Sequence, residues 1–279
     1  MQNIILFDTT GIHQEFLPLT FTRPVSDIRI GIFTIREKWE SRLPGIYSYD
    51  TADYLTVKYP MNIASNSFFI AGNVCPDEKL VAAISSLSEC ESLFYGDELI
   101  AFYGSLDAFR KKDFGVKHTL NEEPFMIRKL YDIFLKNGEA LEADYRYIVS
   151  SGKSEPLSAS NRVIGDPCFP DGTPKIFIEP GAVVECSALN VTKGPVYIGK
   201  DAEIMEGVCI RAPFTACEHV VVNMGTKIYG ATTLGPYCKV GGELNNVVMP
   251  IQIKDMMDFS EIRLSESGAT WEQELMHRI

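Results

Sequence analysis

The chain has 279 residues, a formal net charge of −11 and a pI near 4.9, and 46% of its residues are hydrophobic. This composition provides for about two domains with hydrophobic cores, and its negative charge excludes the basic surface that nonspecific binding to nucleic acid requires. The sequence has no secretory leader, no apolar run of membrane-spanning length and no cysteine pair with metal-type spacing, so we expect a cytoplasmic protein with reduced thiols and no membrane partner.

The first half of the chain alternates predicted strands and helices. Asn3 to Asp8 and Ser67 to Ala71 are short apolar segments, typical of buried strands. Apolar residues recur at helical spacing from Ile32 to Leu43, and again from Leu80 to Leu87 after an aspartate that can begin a helix. This alternation predicts an α/β domain with a mainly parallel sheet, in which ligands bind at the carboxyl ends of the strands.

The end of this domain is predicted from a change in composition. A helix is expected from Pro124 to Leu135, interrupted at Asn137-Gly138 and resumed to about Tyr147. The polar residues 149–161 then form a predicted linker. We therefore assign the first domain to residues 1–148 and the second to residues 162–248.

The segment from Phe16 to Arg42 has a local excess of positive charge within an acidic chain. Its basic residues are Arg23, Arg29, Arg36, Lys38 and Arg42, and Gly31 precedes the predicted helix. Guanidinium groups and the N–H groups at a helix N-terminus are common partners of phosphate. We therefore predict a di- or triphosphate site here, and the alternative is an exposed helix face whose charges are solvated.

The second domain repeats an apolar pattern every six residues from Ile198 to Asn245. The leading positions are Ile198, Ile204, Ile210, Ala216, Val222, Ile228, Leu234 and Val240, and a small or apolar residue follows each of them four positions later. Helices repeat about every 3.6 residues and strands about every 2, whereas a triangular β-helix has sides of about six residues. The pattern predicts a β-helix whose leading residues stack as its core. A sandwich of short antiparallel strands is the alternative.

A resemblance to a known family follows from these two features. LPLTFTRP resembles the R-x-x-P-L-T-x-x-x-P-K signature of sugar-1-phosphate nucleotidyltransferases, with Pro18, Leu19, Thr20 and Pro24 matching. Residues 1 to about 248, with the repeat, resemble a divergent bacterial family that is an alternative form of the bifunctional enzyme making UDP-N-acetylglucosamine. The resemblance implies an α/β nucleotidyltransferase-like N-terminal domain and a C-terminal left-handed parallel β-helix of hexapeptide repeats.

The same resemblance implies an activity and its partners. The first domain is expected to transfer a nucleotidyl group from a nucleoside triphosphate to a sugar-1-phosphate with Mg²⁺. The second is expected to form a homotrimer and to resemble acyltransferases that use acetyl-coenzyme A. Only His219 lies in the repeat region, where the resemblance suggests a general base. Since no carboxylate partner is visible in the sequence, an ordinary surface histidine is the alternative.

Candidate site residues follow from the matching segments. The predicted catalytic residues are Arg23, Lys38, Asn73 and His219, and the predicted substrate- or nucleotide-binding residues are Thr20, Arg29, Gly31, Arg36 and Gly72. FFIAGN resembles the family strand whose final aspartate binds magnesium, but position 73 is asparagine. Because carboxylates are the usual magnesium ligands, Asp8 and Asp97 are the candidates for the missing charge.

Two further departures from the family weaken the phosphate site. Phe7 to Gly11 contains one glycine where the family has a Gly-rich loop, and Val25 stands in place of the signature lysine. These departures keep open a second class of function, a non-catalytic regulatory module that binds a sugar nucleotide and trimerises through its β-helix.

The repeat stops at Asn246 to Met249, and residues 249–279 are acidic and lack the six-residue pattern. Back-translation of this segment in a shifted frame, with permitted codon choices, restores the repeats FLGNSV, IGEWCN and LGAGTN. We therefore predict that residues 249–279 are an aberrant tail produced by a frameshift. On this hypothesis the β-helix is incomplete, and the chain lacks its acyltransfer base and the acetyltransferase activity.

Overall fold

The computed structural model describes residues 2–245 and 248–249. The chain divides into two compact units, residues 1–152 and 153–279, and the division falls within the predicted linker 149–161. The predicted tail 249–279 lies outside the described residues, apart from the backbone of Met249. In the described part of the chain, every helix is too short or too polar to cross a membrane.

The first unit is built on a six-stranded sheet with the order β2-β1-β3-β5-β4-β6. The strands are β1 (Gln2–Phe7), β2 (Gly45–Asp50), β3 (Ser67–Ala71), β4 (Glu91–Tyr95), β5 (Glu98–Gly104) and β6 (Val116–Thr119). Strand β5 is antiparallel to both of its neighbours, and the other pairs are parallel. The carboxyl ends of β1, β2 and β3 therefore share one edge of the sheet. The predicted parallel strands β1 and β3 are confirmed.

Helices lie between and after these strands. They are α1 (Thr10–Glu15), α2 (Ile35–Arg42), α3 (Glu78–Ser85), α4 (Leu106–Lys111), α5 (Asp132–Leu135) and α6 (Asn137–Ser151). Helix α2 begins at Thr34, whose side chain and that of Glu37 form a capping box. Helix α3 begins at Asp77, whose carboxylate accepts a 2.7 Å hydrogen bond from the Leu80 N–H. Both helices confirm the sequence prediction.

The predicted helix from Pro124 to Leu135 is wrong in its first half. Met126 forms an antiparallel bridge with Val74, and the Cys75 N–H donates to the Phe125 carbonyl at 2.8 Å. Met126 and Ile127 are buried in this extended segment. Apolar residues of this kind are buried equally well by a helix or by an added strand, so their spacing alone does not decide between the two.

Aromatic rings fill the core beside the sheet. Phe69 of β3 stacks on Phe109 of α4 with ring centroids 4.1 Å apart, and Phe102 of β5 lies 6.1 Å from Phe69. Phe69 and Phe102 are fully buried. Each buried Phe contributes about 1.5–3 kcal/mol of hydrophobic stabilisation, so the central strands form a rigid base for the loops at their carboxyl ends.

The described part of the second unit contains short parallel strands in three sheets, which we call the strand stack. The strands are β7 (Arg162–Ile164), β8 (Ile176–Ile178), β9 (Val183–Val184), β10 (Ala188–Asn190), β11 (Val196–Ile198), β12 (Glu203–Ile204), β13 (Cys209–Arg211), β14 (Phe214–Ala216), β15 (Val221–Val222), β16 (Lys227–Tyr229), β17 (Thr232–Leu234), β18 (Lys239–Val240), β19 (Glu243–Asn245) and β20 (Val248–Met249). The sheet orders are β19-β16-β13-β10-β7, β20-β17-β14-β11-β8 and β18-β15-β12-β9, so the chain visits the three sheets in turn.

The six-residue pattern sets the register of the strand stack. Ile198 pairs with Ala216, which pairs with Leu234, so equivalent residues lie eighteen positions apart. All the predicted leading positions are buried, as are the residues four positions after them. The register shortens at the last described strands, because Ile228 pairs with Leu244, sixteen positions later. This arrangement is compatible with the predicted β-helix.

Part of the predicted linker packs on the first coil of the strand stack. Helix α6 extends to Ser151, beyond the predicted boundary at residue 148. The Ser154 hydroxyl then accepts a 2.9 Å hydrogen bond from the Ile178 N–H, and the Asn161 side chain accepts one from the Ser187 N–H at 2.9 Å. Leu157 packs against the apolar core. The segment thus satisfies backbone groups that the first coil would otherwise leave open.

Candidate functional site

The carboxyl ends of β1 and β2 meet the basic segment at Asp8. The Asp8 Oδ2 atom accepts a 2.8 Å hydrogen bond from the Thr51 hydroxyl, which follows β2, and a 3.1 Å bond from the Val25 N–H. Beside it, the Gly72 N–H at the end of β3 donates to the Phe7 carbonyl at 2.8 Å. The side chain of Asp8 therefore anchors the signature segment to the edge where a parallel sheet binds its ligands.

Asp8 is buried with an incomplete set of hydrogen bonds. Its side chain is 2% exposed, yet its Oδ1 atom has no hydrogen-bond partner among the described residues. The same holds for the buried His13 Nδ1 and Ser26 Oγ atoms, and His13 Nδ1 lies 4.0 Å from Asp8 Oδ2. We call Asp8, His13 and Ser26 the Asp8 cluster. A buried polar atom left without a partner costs about 1–3 kcal/mol, so such atoms call for an explanation.

The other ring nitrogen of His13 is held by the protein. His13 Nε2 lies 3.0 Å from the Tyr54 hydroxyl, which donates to the Thr20 carbonyl at 2.9 Å. Thr20, a predicted substrate-binding residue, is fully buried, and its hydroxyl donates to the His13 carbonyl at 2.7 Å. Thr20 thus fixes the position of α1 in this structure, and its hydroxyl is used within the protein.

Gly72 and Asn73 follow β3 directly. A Cβ atom on Gly72 would lie 2.7 Å from Asp8 Oδ1, so a larger residue would displace the carboxylate. The Asn73 side chain is buried, and its amide donates to the Ile127 carbonyl at 2.8 Å. The structure therefore brings Gly72 to the Asp8 cluster, while the amide of Asn73 holds the extended segment that contains Ile127.

Asp97, the second carboxylate predicted from the sequence, lies elsewhere in the sheet. It is exposed in the turn between β4 and β5, and β3 separates β5 from β1. It makes no hydrogen bond or ion pair with the residues that the structure describes. Of the two predicted metal ligands, only Asp8 lies at the end of β1.

Lys38 is placed in the protein interior, contrary to its predicted position at a phosphate site. Its side chain is 3% exposed and forms an ion pair with Asp144 of α6. Asp144 also accepts a 2.9 Å hydrogen bond from the Ile32 N–H, and Arg42 lies 3.8 Å from its second oxygen. The Lys38 ammonium therefore neutralises a buried carboxylate and stabilises the fold.

Arg29 and Gly31 share this structural role. The buried Arg29 guanidinium donates to the Ile32 carbonyl and lies 3.3 Å from a Glu37 oxygen. The Gly31 N–H donates to the Asn137 side chain at 2.8 Å. Gly31 has a φ of 74°, and a Cβ atom there would lie 2.6 Å from Asp144 Oδ2, so only glycine fits. The predicted phosphate contacts of both residues are replaced by contacts within the unit.

Arg36 is also paired. Its guanidinium lies 3.0 Å from Asp27 and 2.8 Å from Glu40. Burial opposes the charged form and is the largest single effect, but the Asp27 carboxylate, Tyr49 and the Glu40 carboxylate together outweigh it and raise the pKa of Arg36 above its ordinary value. The charge of this side chain is therefore balanced before any ligand binds.

Arg23 differs from these four residues. Its side chain is partly exposed, and it forms no hydrogen bond or ion pair with any residue in the described ranges. It lies two positions before Val25, whose N–H binds Asp8. Val25 itself is fully buried and takes the place of the signature lysine. Arg23 is thus the predicted phosphate-binding residue whose charge is available at this edge of the sheet.

A comparison with protein families decides the assignment. A family model described as sugar nucleotidyl transferase matches residues 4–153, more than half of the 279-residue chain. The chain belongs to the sugar nucleotidyl transferase family. The match spans the Asp8 cluster and Arg23, and it implies a transferase that uses a nucleotide and a sugar phosphate. No match to the chain is found among curated proteins.

This sugar nucleotidyl transferase also carries His219, the predicted base of its second unit. His219 Nε2 lies 3.9 Å from Asp201 Oδ2, so the structure places a carboxylate beside it that the sequence did not reveal. Its ring stacks on Tyr237 with centroids 4.8 Å apart. Residues eighteen positions apart stack on adjacent coils, and this spacing is the signal that could have identified both neighbours.

Four residues at equivalent positions in successive coils form what we call the corner column: Gly181, Asp201, His219 and Tyr237. All four have positive φ angles, between 54° and 81°. The His219 side chain is 40% exposed. A histidine oriented by a carboxylate is suited to accept a proton from a substrate. An exposed pair of this kind is also an ordinary contact of a protein surface.

Proposed function

We propose that the protein is a sugar-1-phosphate nucleotidyltransferase. It joins a nucleoside triphosphate to a sugar-1-phosphate, forms UDP-N-acetylglucosamine or a similar nucleotide sugar, and releases pyrophosphate. The family match supports this reaction type. The observation that carries the proposal is the guanidinium of Arg23, which has no partner within residues 2–245 and lies close in sequence to the Val25 N–H bound by Asp8.

The reaction is a displacement at phosphorus. A phosphate oxygen of the sugar-1-phosphate attacks the α-phosphorus, and the bond to the bridging oxygen of the β-phosphate breaks as pyrophosphate leaves. Catalysis of this kind depends mainly on positioning and on neutralising phosphate charge. Arg23 binds a phosphate group, and the absence of a side chain at Gly72 leaves room for the Asp8 carboxylate at the end of β3. Mg²⁺, when bound, neutralises further phosphate charge, and Asp8 is the carboxylate that fits it.

The test is release of pyrophosphate from each nucleoside triphosphate, with glucosamine-1-phosphate or N-acetylglucosamine-1-phosphate and Mg²⁺. We expect one combination to give turnover, which the Arg23→Ala variant loses. Tight binding of a nucleotide sugar without turnover in any combination would instead support the alternative, a non-catalytic regulatory module.

For the second unit we propose a left-handed β-helix that forms a homotrimer and is related to acetyltransferases that use acetyl-coenzyme A. Support comes from the six-residue register of three parallel sheets and from the contact between His219 and Asp201. Light scattering tests the trimer, and a stable monomer at micromolar concentration would reject it. We expect no acetylation of glucosamine-1-phosphate by this chain; acetylation that the His219→Asn variant loses would instead identify His219 as the base.

A further inference from the structure

The Asp8 cluster contains acceptor atoms that face one another. The Tyr54 hydroxyl uses its hydrogen in the bond to the Thr20 carbonyl, so His13 Nε2 must be the donor in its contact with Tyr54. In a neutral imidazole the other nitrogen, Nδ1, is then an acceptor. It faces the Asp8 carboxylate, also an acceptor, at 4.0 Å. Two buried acceptors in this arrangement need a hydrogen-bond donor or a cation between or beside them.

The Asp8 carboxylate has one oxygen left for such a group. Oδ2 already accepts hydrogen bonds from Val25 and Thr51, whereas Oδ1 has no partner among the described residues. Two oxygen atoms lie close to the position that a Gly72 side chain would take: a Cβ atom there would lie 2.7 Å from Asp8 Oδ1 and 3.2 Å from the Phe7 carbonyl oxygen, so even a methyl group would displace the carboxylate. Oxygen atoms of these types are ligands of hard divalent cations.

The other candidate positions lack these features. Asn73 stands where the family signature has its metal-binding aspartate, and its amide is bonded to Ile127. Asp97 is exposed and separated from β1 in the sheet. No group of three or more His, Cys, Asp or Glu residues of metal-binding type occurs in the described part of the chain. A site with few protein ligands suits Mg²⁺, which takes one or two carboxylates and completes its coordination with water and substrate phosphates.

We propose that Asp8 is the protein ligand of the divalent cation that accompanies the nucleoside triphosphate, and that it replaces the carboxylate missing at position 73. The cation contacts Oδ1 beside Gly72, and the imidazole of His13 lies 4.0 Å from the other oxygen of the same carboxylate. This inference rests on the proposed function. It assigns the metal site to the end of β1, whereas the family signature places it after β3.

The experiment measures Mn²⁺ binding by electron paramagnetic resonance, with and without a non-hydrolysable nucleoside triphosphate. Mn²⁺ is the probe because it takes the same oxygen ligands as Mg²⁺. We expect Asp8→Asn to weaken Mn²⁺ binding at least tenfold. Gly72→Ala should do the same, because its methyl group would lie 2.7 Å from Oδ1 and would displace the carboxylate while its negative charge is kept. Asp97→Asn is the matched control and should bind Mn²⁺ like the unaltered protein.

Equal Mn²⁺ affinity in the unaltered protein and in both site variants would overturn the proposal, as would the absence of Mn²⁺ binding under either condition. The first result would mean that Mn²⁺ binds elsewhere on the protein. Circular dichroism monitors folding, and if Asp8→Asn unfolds, Gly72→Ala alone decides. Mn²⁺ bound at Asp8 in a protein that releases no pyrophosphate would reject the proposed function and leave this site standing.

Discussion

Lys38 on α2 and Asp144 on α6 form a buried ion pair between residues 106 positions apart in the chain. Their side chains are 3% and 2% exposed. The same carboxylate accepts hydrogen bonds from the Ile32 and Phe33 N–H groups, at 2.9 and 3.3 Å. The pair therefore holds α2 and the turn that precedes it against α6. It lies in the basic segment Phe16 to Arg42, whose Val25 N–H binds Asp8.

Replacing Lys38 with alanine should destabilise the first unit strongly. Removing one partner of a buried ion pair leaves the other charge uncompensated and costs about 3–5 kcal/mol. Urea unfolding followed by Trp fluorescence measures the change. Lys79→Ala is the control, because Lys79 and its partner Glu122 are 86% and 84% exposed, and exposed pairs contribute little. A Lys38→Ala protein of normal stability that had lost nucleotide affinity would restore the assignment made from the sequence.

The Arg23→Ala variant should bind nucleotide at least about tenfold more weakly, since a charge-assisted hydrogen bond contributes about 1.5–3 kcal/mol. Its melting temperature should not change, because Arg23 has no partner among the described residues whose loss would affect folding. Isothermal titration calorimetry with each nucleoside triphosphate gives the affinity. Arg211→Ala, an exposed arginine of the strand stack, serves as control. Equal affinities in the two variants would remove Arg23 from the phosphate site.

Cys75 should resist alkylation in the folded protein. Burial raises the pKa of its thiol from 9.0 to about 12, so the reactive thiolate is scarce at about pH 8. The exposed Cys90, Cys186 and Cys209 are the internal controls. Mass spectrometry after iodoacetamide treatment should find these three labelled and Cys75 unlabelled. Labelling of Cys75 as rapid as that of Cys90, without denaturant, would contradict its burial.

The same shift predicts how stability depends on pH. A raised pKa in the folded state means that folding favours the protonated thiol. This contribution of Cys75 is fully present below about pH 9 and is lost as the pH rises from 9.0 toward about 12. The Cys75→Ala variant should therefore lose less stability over this range than the unaltered protein does, when both are measured by urea unfolding.

The Asn161→Ala variant should loosen the first coil of the strand stack. Asn161 donates to the Val184 carbonyl at 2.6 Å and accepts from the Ser187 N–H at 2.9 Å, and the loss of these bonds should cost about 1–3 kcal/mol. Hydrogen–deuterium exchange should become faster at residues 183–189. Asn223→Ala is the control, since the Asn223 side chain makes no hydrogen bond to a described residue. Equal exchange in both variants would show that the segment does not close the coil.

Local patterns explain which parts of the fold could be predicted from the sequence. The strands at Gln2–Phe7 and Ser67–Ala71 and the two capped helices follow from apolar spacing and from Thr34 and Asp77. The register of the strand stack follows from its repeat, because each coil buries its apolar positions only against its neighbours. These features depend on residues that are close in sequence or related by a fixed period.

The candidate site could not be predicted in the same way, because its contacts join residues that are far apart in the sequence. The basic segment suggested a phosphate site, but Asp144 neutralises Lys38 from 106 positions away. The unpaired atoms of Asp8, His13 and Ser26 arise only where the end of β1 meets two loops. Helical spacing of apolar residues likewise predicted a helix from Pro124, but the backbone there pairs with the segment after β3. Charge excess alone therefore could not show which cations of this segment the protein itself neutralises.

The corner column separates the surface chemistry of the strand stack from its stability. The N–H groups of His219 and Tyr237 bind carbonyls of the preceding coil, at 2.9 and 3.0 Å, whatever side chain they carry. A non-glycine residue in the left-handed conformation costs about 1–2 kcal/mol, with Asp and Asn the residues that adopt it most readily after glycine. The residues of the corner column accordingly differ in size and charge, although they occupy equivalent positions in successive coils. Substitutions in the corner column can therefore change the size and charge of the exposed surface one coil at a time, without changing the apolar core of the strand stack.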